Sequence, residues 1–356
     1  MFGIDKKIPA LIYAEGEFGK LDGKTANGLV RFSEKYEIIG VIDSTREENY
    51  AHEVLPDVME HIPIFQSLEE TLGRVEKKPS AFINGIARDG GAFPFEVKDV
   101  FLEAMKNGMS LVTGTHDYLS ENDEFVSIAK EYGVDIWDTR KPSDRKDMPS
   151  GKLLNDDLPP RIVLVGTDCA IGKRTTGIEI CKELERRGYR PTFVATGQTG
   201  IMQGAKFGTP LDAVKGDFLS GEVEHEVWLA SQDSDVVIVE GQAAISIPQG
   251  GVPLALLKGA EPHGAVMIHA PGRKELDGFE NYPPPNLDRE WEIVEFFYPG
   301  TIFAMAINHE GEIDPDEWKE RYEKEYGVPV ADVLVHGAGV IVDRMEELYL
   351  RKEKND

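Results

Sequence analysis

From residue 8 to residue 140, short apolar runs alternate with amphipathic stretches of helix length. PALIYAEG predicts a strand, TANGLVRFSEKY a helix, and YEIIGVIDS a second strand that closes on Asp43. AFINGIA, SLVTGTHD and VDIWDT follow as strands, with helices over VKDVFLEAMKNG and EFVSIAKEYG between them. Strands that alternate with helices of this length predict a parallel sheet joined by crossover helices. Over residues 97–108, Val100, Phe101, Ala104 and Met105 recur at the spacing of one buried helix face. Gly108 then stands where a helix C-terminal glycine belongs.

The rhythm breaks at RKPSDRKDMPSGKLLNDDLPPR, which holds four prolines and mixed charge without an apolar period. It resumes with the strand RIVLVGTD, the helix TTGIEICKELERRG and the strand PTFVATG, and later with the strands DVVIVEG, GAVMIHAP and TIFAMAIN. A helical stretch, DPDEWKERYEKEYG, and the segment ADVLVHGAGVIV close the chain before a charged tail. The fold class expected is therefore α/β in two domains. A Rossmann-like parallel sheet spans 1–145, a linker 146–160, and a parallel sheet built around a phosphate loop 161–356.

The 356 residues carry 39 Lys and Arg against 64 Asp and Glu, a formal charge of −25. Nucleic-acid binding rests on neutralising many phosphates, and anionic membranes attract basic segments, so neither partner is expected. A small anionic metabolite remains admissible, because it meets the local field of a pocket rather than the whole shell. Only Cys169 and Cys181 are present, without a CxxC pair, which excludes a disulfide scaffold and a zinc ribbon. MFGIDKKIPALIY has no apolar core of signal-peptide length, and no apolar run approaches the ~20 residues that span a bilayer. A cytoplasmic location is expected, and a homo-oligomer as the assembly.

RIVLVGTDCAIGKRTTG carries the strongest chemical signal. A strand runs into Gly166, a loop closes on Gly172 and Lys173, and a helix follows, which is the context a phosphate loop requires. Glycines let the backbone approach an anion, consecutive N–H groups form a nest, and the helix N-terminus adds positive potential. Gly166, Thr167, Asp168, Cys169, Gly172, Lys173, Arg174, Thr175 and Thr176 are the predicted phosphate-binding set, with Lys173 as the point charge. Five residues rather than four separate Gly166 from Gly172, and Arg174 stands where a metal-binding hydroxyl usually follows the lysine.

Further candidates cluster at strand ends. SDVVIVEGQ places Glu240 at the C-terminal end of a predicted central strand, where α/β sheets bind ligands, as a metal ligand or proton acceptor. Gln198 and Thr199, in ATGQTGIMQG, are expected to face the same crevice. HAPGRKELDG groups His269, Arg273 and Lys274, and the planar fork of Arg273 suits a carboxylate or phosphate. In the first domain His116 beside Asp117 forms a candidate general base. The dinucleotide fingerprint is absent there, since Gly16, Gly19 and Gly23 do not make G-x-G-x-x-G. Asp43 alone stands where a ribose-binding acid would, which leaves Lys20 and Lys24 to meet a small anion or the other domain.

GTDCAIGK with a later VEG resembles the phosphate loop and acidic strand of dethiobiotin synthetase. A longer resemblance runs through EGEFGKLDGKTANGLVRFS, VIDS, GTHDYLS, GTDCAIGKRTT, ATGQTGI, DFLSGEVE, VEGQ, HAPGRK and AMAIN, in order, over about 300 residues. These blocks are similar to the D-glutamate N-acetyltransferase family of the DgcN type, formerly a domain of unknown function. The resemblance implies a Rossmann-like domain followed by a phosphate-loop domain, acetyl-CoA as donor and D-glutamate as acceptor. It matches residues 166–176, the group Glu240, Gly241 and Gln242, and the group Pro271, Gly272 and Arg273. One departure stands out: EGQAAISIP places Ala243 and Ala244 where the family continues with Gly-Ser, and Ile247 where a histidine is expected.

Two chemistries compete for the loop. Phosphoryl transfer from ATP needs Mg²⁺ on the phosphates, normally held by the hydroxyl after the lysine, and Arg174 cannot bind a cation. CoA carries a diphosphate and a ribose phosphate and needs no metal for acyl transfer, so Lys173 with Arg174 suits it. In the acyltransferase reading His116 or Glu240 is the base, and Arg273, Lys274 and Gln242 hold the acceptor. The alternatives are an ATP–Mg²⁺ ligase or kinase, with Thr175 and Glu240 on the metal, and a nucleotide-binding regulatory protein without turnover.

Overall fold

The computed structural model describes residues 6–279, 281–311 and 313–350. These fall into two compact units. One comprises residues 6–143 with 198–204, and the other residues 144–197 with 205–350. Among the described residues no helix is long and apolar enough to cross a membrane.

The smaller unit is a six-stranded sheet in the order β3-β2-β1-β4-β5-β6. Its strands are β1 (Ile8–Tyr13), β2 (Tyr36–Ile42), β3 (Ile64–Phe65), β4 (Ala81–Asn84), β5 (Ser110–Thr113) and β6 (Ile136–Asp138), all paired in parallel. This is the Rossmann-like α/β sheet that the apolar pattern predicts. The chain winds outward through β2 and β3 and then restarts at β4 on the other side of β1, so β1 and β4 flank the switch point. The helix predicted over 97–108 spans Lys98–Lys106 and buries Phe101, Leu102, Ala104 and Met105. Val100 is only half-buried, and Gly108 ends the turn at φ +84°.

One face of that sheet is completed by a distant piece of chain. The helix Gln198–Gln203 lies along the helix Lys24–Arg31. Gln203 donates from Nε2 to the Gly28 and Phe32 carbonyls at 2.8 and 2.9 Å, and Thr199 bonds the Thr25 hydroxyl at 3.0 Å. Met202 is fully buried in the apolar cluster with Ile12, Leu29, Ile83 and Val112. Burying such a side chain contributes about 1.5–3 kcal/mol, so these residues belong to the unit's core.

The larger unit has seven strands in the order β13-β12-β11-β7-β10-β8-β9. They are β7 (Arg161–Gly166), β8 (Pro191–Ala195), β9 (Phe207–Gly208), β10 (Val236–Val239), β11 (Gly264–His269), β12 (Ile302–Ile307) and β13 (Val330–Ala331), again all parallel. The central strands β7, β10 and β11 are buried along their whole length, which is why they read as unbroken apolar runs. Parallel pairing brings the C-terminal ends of β7, β8, β10 and β11 to one edge, and that edge positions the site.

The stretch 146–160, expected as a linker, is packed within this unit on the helix Leu219–Ser231. Glu224 accepts from the Ser150 N–H and hydroxyl at 2.7 and 2.8 Å and from the Gly151 and Lys152 N–H groups at 2.6 and 3.1 Å. Arg145 bridges Glu222 and Glu226 at 2.8 and 2.6 Å, and Leu153 enters the core. Proline and polar composition marks the absence of regular structure. It does not register a buried carboxylate far along the chain that can satisfy the backbone.

Burial alone would raise the Glu224 pKa, but the Ser150 and Gly151 donors outweigh it and hold the carboxyl below its ordinary value. A depressed folded pKa stabilises above the unfolded pKa, and the contribution is lost as pH falls through the folded one. Glu224→Ala is therefore expected to lower unfolding free energy by about 1–3 kcal/mol at neutral pH, with a smaller deficit in acid. Urea melts at several pH values check this, and a deficit that grows on acidification would contradict it.

Candidate phosphate-binding site

The loop between β7 and the helix Lys173–Arg186 is tightly wound. Ala170 holds φ +49° and Gly172 φ +92°, both in the left-handed region, and an alanine is rarely found there. Such local strain persists only where the surroundings enforce it, and it clusters at ligand sites. The helix runs for 14 residues from this loop with no acidic residue in its first turn. Its N-terminal potential is left positive.

Lys173 is only 7% exposed. Its ammonium donates to the Asp168 carbonyl, and among the described residues no carboxylate pairs with it. Burial pulls its pKa below the ordinary lysine value, and the charges of Cys169 and Asp168 partly offset this. The side chain lies in a corridor between two glycines: a Cβ on Gly166 or Gly241 would lie 3.3 or 2.9 Å from its Cδ. At Gly241 that Cβ would also fall 1.6 Å from the Leu164 carbonyl oxygen, so glycine is required there.

Asp168 is fully buried. Its Oδ1 accepts the Cys169 N–H at 2.7 Å, and its Oδ2 accepts Arg273 Nη1 and the Asp277 N–H, each at 3.0 Å. Arg273 Nη1 also reaches the Cys169 carbonyl at 2.6 Å, while Nε and Nη2 donate to Glu310 Oε2 at 3.1 and 2.5 Å. The fork expected to meet a substrate carboxylate is thus engaged with acceptors of the chain. Lys274, next to it, is exposed.

Glu240 stands at the end of β10, with Oε2 accepting the Thr196 and Gly197 N–H groups at 2.9 and 3.2 Å. Burial raises its pKa above the ordinary carboxylate value, against the opposing charge of Arg174 and the two N–H donors. Gln242 Nε2 bonds the Thr196 carbonyl and hydroxyl at 2.9 and 2.8 Å. Thr167 bonds His269 Nδ1 at 2.9 Å, and burial, with Arg273 nearby, lowers that imidazole to about 4, so it is neutral at pH 7. Thr175 is half-buried and Thr176 buried in the helix's first turn.

Other candidates lie in the smaller unit. Gln198 and Thr199 are buried and group with that unit. His116 and Asp117 are exposed; the His116 N–H donates to the Gly91 carbonyl at 2.7 Å and Asp117 accepts the Phe93 N–H at 2.8 Å. Asp43 accepts from the Gly16, Phe18 and Thr45 N–H groups at 2.9, 3.1 and 3.0 Å and from the Thr45 hydroxyl at 2.7 Å. Its oxygens fold the loop after β1 instead of meeting a ribose.

Glu290 escaped the sequence analysis. It is buried on the helix Leu287–Phe297 and accepts the Ile245 and Ser246 N–H groups at 2.6 and 2.9 Å. These bonds pin the EGQAAISIP loop, in which Ala243 and Ala244 are buried. The available signal is an acid set between Leu287 and Val294, on the face those apolar residues bury.

Two parallel α/β domains, one Rossmann-like and one carrying a phosphate loop, define the class of protein. Residues 152–342 match the model described as Domain of unknown function (DUF1611_C) P-loop domain, and residues 44–142 match its partner, the DUF1611_N Rossmann-like domain. The chain belongs to this DUF1611 family. It is similar to the D-glutamate N-acetyltransferase of Tritonibacter scottomollicae, 31% identical over 272 residues that cover 73% of this chain and 79% of that one. A protein of the same name from a Pseudoalteromonas species is 31% identical over 269 residues, covering 73% and 80%. The crystal structure of a family protein from Anabaena variabilis superposes with a TM-score of 0.87 at 31% identity, covering 96% of this chain and all of that one.

Gly241→Ala is expected to force β10 away from β7 and lower stability by about 2 kcal/mol or more. A denaturant melt superimposable on that of the unsubstituted protein would refute the close approach.

Proposed function

We propose that the protein is an acetyl-CoA-dependent N-acetyltransferase acting on D-glutamate, with the loop 166–176 anchoring the donor's phosphates. The observation that carries the anchor is Lys173, a buried cation whose bond partner among the described residues is a loop carbonyl, followed directly by Arg174. A buried ammonium without a directly paired carboxylate is costly, and a diphosphate at the helix N-terminus would complete its neutralisation. The relatives named D-glutamate N-acetyltransferase support the transferred group and the acceptor.

In this scheme the acceptor's amino nitrogen attacks the thioester carbonyl carbon. The C–N bond forms, the surplus amine proton passes to the Glu240 carboxylate, and as the C–S bond breaks that proton goes on to the departing thiolate, which releases the CoA thiol and restores the carboxylate. Backbone N–H groups hold the developing oxyanion. Glu240 is assigned as base over His116 because it is buried beside the phosphate loop within one unit, where burial raises its pKa above the ordinary carboxylate value and makes it a stronger base than an exposed carboxylate. Lys274 supplies a cation for the acceptor's carboxylates, and Gln242 is held beside Glu240 by Thr196.

Lys173→Ala is expected to raise KM for acetyl-CoA by about tenfold or more while lowering kcat less. A large kcat loss at unchanged KM would remove Lys173 from donor anchoring. Glu240→Gln is expected to lower kcat by about 10²–10⁴ and to abolish the acid limb of the pH–rate profile, which in the unsubstituted enzyme lies above the ordinary carboxylate range. An acid limb that survives the substitution would sink Glu240 as base. Calorimetry with CoA, acetyl-CoA and ATP, with and without Mg²⁺, tests the donor: tight ATP binding confined to Mg²⁺ would overturn the acyltransferase. Ligand binding without product from D-glutamate would favour a sensor instead.

A further inference from the structure

We infer that Arg273 is a positioning residue of the phosphate loop, cancelling the buried charge of Asp168 and orienting the loop backbone, so that it governs affinity for the donor and not for the acceptor. The inference rests on the phosphate anchor proposed above and adds the device that lets the anchor work. A carboxylate inside a phosphate loop is a contradiction in charge. Asp168 has no solvent exposure, and its position between Thr167 and Cys169 puts a full negative charge among the groups meant to receive a diphosphate. Arg273 Nη1 meets that carboxylate at 3.0 Å, and its side chain is itself only 6% exposed.

The same nitrogen holds the Cys169 carbonyl at 2.6 Å. In a trans peptide the carbonyl and the following N–H point in opposite directions, so this bond turns the Ala170 N–H away from the guanidinium. Lys173 does the same to the preceding peptide through the Asp168 carbonyl. Two cations thus draw two successive carbonyls to their own side, and Ala170 holds its left-handed φ of +49° between them and Gly172. Glu310 takes the remaining guanidinium nitrogens at 3.1 and 2.5 Å, which fixes the plane of the fork. A lysine could carry the charge to this place but could not hold Asp168, Cys169 and Glu310 together.

An acceptor-binding arginine and a loop-bracing arginine give opposite kinetics. If Arg273 braces the loop, Arg273→Met raises the Kd for CoA about tenfold or more, measured by calorimetry on the full chain, and changes KM for D-glutamate less than about twofold. The double variant D168N/R273M, which removes both charges, then binds CoA about fivefold or more tighter than R273M, because the stranded carboxylate is what repels the phosphates. A loss of packing alone would not be rescued in this way. If R273M does not fold, Arg273→Lys and D168N/R273K carry the same comparison with a smaller amplitude.

Unchanged CoA affinity in R273M with a raised D-glutamate KM would overturn the inference, as would a double variant no better than the single one. An unsubstituted protein that binds ATP with Mg²⁺ but not CoA overturns the donor assignment alone, and the Arg273 effect is then read on ATP. Failure to bind either nucleotide overturns both.

Discussion

The Lys173 ammonium, held on the Asp168 carbonyl at the mouth of a corridor between Gly166 and Gly241, is the contact around which the larger unit is arranged. The corridor exists because β10 lies directly against β7 and because neither strand end carries a Cβ there. β11 on the other flank of β7 delivers His269 and the turn with Arg273, while β8 delivers the N–H groups that seat Glu240. A buried ammonium is stable only when its surroundings supply compensating dipoles and charges. Much of the detail at this sheet edge is that compensation: the Asp168 carbonyl on the lysine, the carboxylate of the same residue nearby, and a guanidinium on that carboxylate.

The charge of −25 acquires a different meaning beside this arrangement. An acidic shell around a basic pocket would be the simple picture. The sheet edge carries instead an interleaved set, with Lys173, Arg174 and Arg273 among Asp168, Glu240, Glu290 and the exposed Glu310. Asp168, Glu240 and Glu290 each accept backbone N–H groups, Asp168 also takes the arginine, and Lys173 has no paired carboxylate among the described residues.

Much of the fold was legible in the sequence because its signals are local. The strands β7, β8, β10, β11 and β12 announce themselves as apolar runs, since a strand covered on both faces needs no polar positions. The loop announces itself because glycines and a lysine must sit at fixed offsets from a strand end. Partners far apart in sequence leave no such trace. Arg273 and Asp168 are 105 positions apart, and an arginine in a basic turn looks the same whether it awaits a ligand or a loop. Glu224 and Glu290 are acids on helices until folding brings backbone N–H groups to them. Gln198 and Thr199 follow a strand of the larger sheet yet group with the smaller unit, a partition that no local pattern marks.

That last placement bears on how the protein is made. One face of the smaller sheet's core is not complete until Met202 is synthesised, after the phosphate loop and the strand β8. A chain stopped at residue 143 would lack one buried member, Met202, of the apolar cluster that includes Ile83 and Val112. The two domains therefore cannot mature strictly in the order of synthesis, as consecutive domains usually do. Nor could they be separated at the proline-rich stretch without carrying that gap into the N-terminal piece.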